Sequence, residues 1–90
     1  MEAHAMITVN GLVQGVGYRW FASKHAQSLG LKGYVQNKYD DSVCAEVEGE
    51  KIDIEAFIGQ LKIGPRSAQV REVAVEWSEP THLFTGFRIR

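Results

Sequence analysis

The spacing of apolar residues changes period at Gly15-Val16-Gly17, and that change limits what the chain can fold into more than any other feature. Before it, Ala5 to Leu12 alternate residue by residue. Met6, Thr8 and Asn10 stand against Ile7, Val9 and Gly11, which is the period of a half-buried strand. After it, Tyr18, Phe21, Ala22, His25, Ala26 and Leu29 fall at helical intervals and form one stripe, with Gly30 placed as a left-handed cap. A strand must therefore become a helix between Val13 and Tyr18, and two glycines two apart give the backbone that freedom. Strand, sharp turn and helix N-terminus together make a ready anion site, because several N–H groups converge there. Arg19 ends the turn, and a guanidinium can fork onto two oxygens of a phosphate or carboxylate. The competing reading is a glycine-rich connector that happens to carry a surface arginine.

The remaining elements follow from the same two periods. Gly33 to Tyr39 reads as a second strand, with Tyr34, Val35 and Gln36 leading to Asn37. Asp40-Asp41-Ser42 is turn-forming. Val43, Ala45 and Val47 alternate with Cys44, Glu46 and Glu48 up to Gly49, so the two runs are expected to form a hairpin. Glu50 to Ile63 reads as a second helix with Ile54, Phe57, Ile58 and Leu61 on one stripe. Its acidic start and Lys62 near its end agree with the helix dipole, and Gly64-Pro65 stops it. Val70, Val73, Val75 and Trp77 mark another strand, and Phe84, Phe87 and Ile89 a short terminal one. The order β-α-β-β-α-β plus a short C-terminal strand predicts an α+β fold. It is a ferredoxin-like split β-α-β sandwich, with two helices packed on one face of a mostly antiparallel sheet.

Bulk properties narrow the function. Ninety residues are expected to form one domain spanning 1–90. A net charge of −1 gives no general attraction to nucleic acid or to a membrane surface. No apolar run approaches the roughly 18–20 residues of a membrane span, and Met1 to Ala5 lack the basic start of a secretory signal. One cysteine, Cys44, excludes an internal disulfide and suits a reducing cytoplasm, with a monomer as the simplest assembly. The histidines do not cluster: His4 reads as part of a frayed tail, His25 lies on the helix and His82 in a late loop. No metal site and no cofactor are expected from such spacing. Trp20, Tyr34 and Trp77 have no basic stripe beside them and read as packing residues, not base-stacking platforms. The glycine loop is neither a Walker A string nor a dinucleotide fingerprint, since Trp20 stands where a third glycine would be needed. Asn37 has two readings: a strand-end turn residue bonding its own backbone, or an uncharged group that holds a water by amide donor and acceptor.

Gly11-Leu12-Val13-Gln14-Gly15-Val16-Gly17-Tyr18-Arg19 and Gly33-Tyr34-Val35-Gln36-Asn37 closely resemble the two signatures of the acylphosphatase family. Gly64-Pro65 followed by Ala68 and Val70, and the closing Phe87-Arg88-Ile89, resemble it too. The resemblance runs from about Met6 to Arg90. It implies hydrolysis of the carboxyl-phosphate bond of acyl phosphates without a metal, giving carboxylate and inorganic phosphate. It further implies that the backbone N–H groups of Gln14, Gly15, Val16, Gly17, Tyr18 and Arg19 cradle the phosphate. By the same resemblance the Arg19 side chain binds that phosphate, and Asn37 positions the attacking water. The chain departs from the family at Asp41, where a glycine is usual in the hairpin turn. A positive φ is expected there at a small stability cost, because aspartate tolerates that region better than most residues. The alternative function is a non-catalytic phosphate-binding module on the same fold.

Overall fold

The computed structural model describes residues 1–90. The chain runs β1 (Glu2–Leu12), α1 (Tyr18–Ser28), β2 (Lys32–Asn37), β3 (Val43–Glu50), α2 (Lys51–Ile63), β4 (Gln69–Ser78) and β5 (Phe87–Ile89). The strands form one sheet in the order β4-β1-β3-β2-β5. All neighbours are antiparallel except β2 and β5, which pair in parallel with Val35 opposite Ile89. β3 lies between β1 and β2, so the β1-α1-β2 unit is split as the element order predicts.

Alternation decides which side each residue takes. Ala5, Ile7 and Val9 of β1, Val35 of β2, and Val43, Ala45 and Val47 of β3 are buried on the face that carries the helices. They pack against Tyr18, Ala22 and Ala26 of α1 and Ile54, Phe57 and Leu61 of α2 in one cluster. Burying a side chain of the Ile or Phe class stabilises by roughly 1.5–3 kcal/mol, and these contacts set how α1 sits on the sheet. β1 reaches the glycine loop through a bulge at Asn10 and Gly11. A Cβ at Gly11 would lie 2.1 Å from the Gln69 carbonyl oxygen, so only glycine admits β4 there.

Two sequence expectations are corrected. β1 begins at Glu2 rather than Ala5, and His4 is not in a frayed tail. His4 is buried on the sheet face away from the helices, with Nε2 2.6 Å from Glu46 Oε2 and Nδ1 2.7 Å from Ser78 Oγ. The cause is pairing on both sides, with β3 from Glu50 and with β4 from Ser78. The terminal strand is also shorter than expected: Phe84 lies outside it and packs on Tyr34, ring centroids 6.0 Å apart. The segment containing Phe84 crosses that same sheet face. Glu48 holds it, accepting hydrogen bonds from the Thr81 amide and hydroxyl and from the His82 amide. No helix is long and apolar enough to cross a membrane.

Candidate active site

Gly15 (φ 74°) and Gly17 (φ 77°) both adopt the left-handed backbone that L-residues avoid. The turn they make ends at Tyr18, the first residue of α1. The Tyr18 ring goes into the core and its hydroxyl donates to the Leu61 carbonyl at 2.6 Å, which pins the first turn of α1 against the end of α2. Burial raises this phenol above its ordinary pKa. Gly17 is the N-cap residue and has no side chain to cap with. A helix leaves its first N–H groups without intrahelical acceptors, and no acidic residue lies in the first turn of α1 to neutralise them. The helix start therefore keeps its partial positive charge.

Gln14 does more than contribute a backbone N–H. Its Nε2 donates to the carbonyls of Lys38 and Ser42, both at 2.8 Å, and so ties the glycine loop to the β2–β3 turn. That turn is itself braced. Lys38 N donates to Ser42 O at 2.8 Å, and the Asp40 carboxylate accepts from the Ser42 hydroxyl and amide. The Ser42 hydroxyl bond, with the backbone bond behind it, holds the Asp40 carboxyl below its ordinary pKa. Asp41 takes φ 73°, the positive value expected at this position.

Asn37 is the last residue of β2, next to this turn. It shares a cleft of about 220 Å³ with Gly15, Gly17 and Arg19, over a floor that includes the buried Val13 and Tyr18. The sequence-predicted glycines, arginine and asparagine thus come together. Val16 packs against the core, and Gln14 supports the loop from outside the cleft. Arg19 is the one charged side chain lining the cleft, and no carboxylate lines it. Arg19 Nη1 donates to the main-chain oxygen of Arg90, the residue after β5, at 2.8 Å, which ties the guanidinium to that end of the sheet. Amides, guanidinium and carboxamide can together grip an oxyanion and still present a neutral donor and acceptor beside it.

Sequence reasoning missed three participants. Trp20 and Ile89 line the cleft, and the Gln14 side chain braces it. Ile89 had no sequence signal, because its place depends on the parallel pairing of β5 with β2. Trp20 reads in the sequence as a packing residue, whereas it stands exposed on α1 at the cleft. The other candidate groups lie apart: Cys44 is buried on the far sheet face with Sγ 3.3 Å from Met6 Sδ, and burial raises its thiol pKa. No three His, Cys, Asp or Glu side chains are grouped so as to hold a metal ion.

The fold and the cleft define a class, a ferredoxin-like sandwich with a glycine loop between its first strand and first helix that opens on the cleft. Residues 5–89 match the family model described as acylphosphatase. The chain is 49% identical over 81 residues to an acylphosphatase of Thermus thermophilus, covering 90% of this chain and 91% of that one. It is 44% identical over 88 residues to an acylphosphatase of Thermococcus kodakarensis, covering 98% and 96%. The crystal structure of acylphosphatase from Bacillus subtilis superposes with a TM-score of 0.95 at 31% identity, over 100% of this chain and 99% of that one. The chain belongs to the acylphosphatase family, and with it to the hydrolases.

Proposed function

We propose that the cleft hydrolyses the carboxyl-phosphate bond of acyl phosphates without a metal, the phosphoryl group lying on the 14–19 amides and Arg19 and a water on Asn37. The observation that carries this reading is the meeting of Gly15, Gly17, Arg19 and Asn37 in one cleft that no carboxylate lines. Phosphoryl transfer tends to a loose transition state with charge on the equatorial oxygens and in-line attack. Fixed dipoles and a guanidinium stabilise that charge, and positioning supplies most of the rest. The water oxygen forms a bond to phosphorus as the bond from phosphorus to the carboxyl oxygen breaks. The bonding pair leaves with the carboxylate, and the water protons go to phosphate and solvent. A carboxylate is a good leaving group, so early proton abstraction contributes little, which suits an amide in place of a general base.

The test is hydrolysis of benzoyl phosphate by wild type, Arg19→Ala and Asn37→Ala, with competition by inorganic phosphate. Arg19→Ala is expected to lose at least ~10²–10³ of kcat/KM, the scale of one preorganised donor, and to weaken phosphate competition. Asn37→Ala is expected to lower kcat while phosphate still competes. An Asn37→Ala protein with wild-type turnover would remove the water-positioning role. A wild type that binds phosphate without turnover would make the cleft a binding module instead.

A further inference from the structure

We infer that Trp20 forms the acyl subsite of this cleft, so that acyl phosphates with an aryl or other flat apolar acyl group are preferred over those with a small one. This rests on the proposed reading of the cleft. Trp20 is 65% exposed and Ile89 46% exposed, so the fold itself covers neither, yet both line the cleft that holds Arg19 and Asn37. Trp20 directly follows the guanidinium in sequence and stands on α1, whereas Asn37 ends β2. In-line attack sends the leaving group away from the water. With water on the strand side, the acyl group departs toward the helix wall, where the available side chain is the Trp20 indole.

The indole also has a cation beside it. Lys24, one turn further along α1, puts Nζ 5.3 Å from the ring centroid. Trp20 therefore lines the cleft on one side and a groove shared with Lys24, Ser23 and Gln27 on the other. An indole has only two side-chain torsions to order, so it offers flat apolar surface at little ordering cost. Trp20 and Ile89 stand exposed at this cleft, so an acyl group reaching out of it can lie on the indole.

The experiment measures kcat/KM for benzoyl phosphate and acetyl phosphate with wild type, Trp20→Ala and Trp20→Phe. The exposed position lets both variants fold, which thermal denaturation checks. In Trp20→Ala the benzoyl-to-acetyl ratio is expected to fall about 10-fold, the low end of what an apolar pocket contact discriminates. Trp20→Phe is expected to keep most of the ratio. An unchanged ratio, or an equal fall for both substrates, overturns the acyl subsite while leaving the reading of the cleft in place. A wild type that hydrolyses neither substrate overturns both.

Discussion

Gln14 offers the most direct test of how the site is assembled. Its side chain spans from the glycine loop to the β2–β3 turn and supplies two hydrogen bonds of 2.8 Å to the Lys38 and Ser42 carbonyls. Gln14→Leu keeps the backbone N–H and much of the side-chain volume but removes both donors. A neutral hydrogen bond contributes about 0.5–1.5 kcal/mol net. The bond to Lys38 is exposed, and water can replace it, so the Ser42 bond dominates. The expected loss is therefore about 1–2 kcal/mol, which in a domain of this size lowers Tm by roughly 4–16 °C.

The effect on activity should exceed what stability alone explains. Asn37 adjoins the turn that Gln14 holds, so loosening the brace lets its amide drift from the glycine loop, and under the proposed mechanism that amide positions the water. A misplacement of about 1 Å can cost up to ~10²-fold in rate. Gln14→Leu is therefore expected to lower kcat on benzoyl phosphate by roughly 10-fold or more, with phosphate competition little changed because the loop amides remain. Gln14→Glu should be worse on both counts, since it sets carboxylate oxygens against two carbonyl acceptors and adds negative charge beside the loop. Circular dichroism melts and steady-state kinetics below the Tm separate the two effects. A Gln14→Leu protein with wild-type Tm and kcat would refute the bracing argument outright.

Two further outcomes follow from groups outside the cleft. Burial pushes the Glu48 carboxyl up, but hydrogen bonds from Thr81 and His82 outweigh it and leave the pKa below its ordinary value. A lowered folded pKa means this stabilisation is complete above the ordinary glutamate value near 4.3 and is lost as pH falls through the folded value. Glu48→Gln should cost about 1–3 kcal/mol at neutral pH and flatten the fall in stability as pH drops below about 4.3; urea titrations at neutral and acid pH check both. Asp41→Gly relieves a non-glycine residue at φ 73°. It should change stability by about +1 kcal/mol at most and leave kcat unaltered, and a marked loss of stability would show that Asp41 makes a contact of its own.

The residues that the sequence made legible are those whose demand is local. Gly15 and Gly17 sit where the backbone must go left-handed between a strand and a helix, and the change of period at that point announces it. Asp41 betrays its turn for the same reason, through its neighbours Asp40 and Ser42. Arg19 and Asn37 were placed by motif, and their meeting follows once β3 pairs with β1 and β2. His4 was misread because its burial depends on Glu46 and Ser78, 42 and 74 residues away, and no local pattern carries that information. Ile89 lines the cleft, and the Arg90 oxygen reaches Arg19, only because β5 joins β2 in parallel and lies beside α1. The division has a physical origin. The loop can adopt its shape from its own glycines, but the distance from that loop to Asn37 is set by contacts made across the sheet. The Gln14 side chain is where the two meet, since a residue inside the local motif makes the long-range bonds that hold the site together.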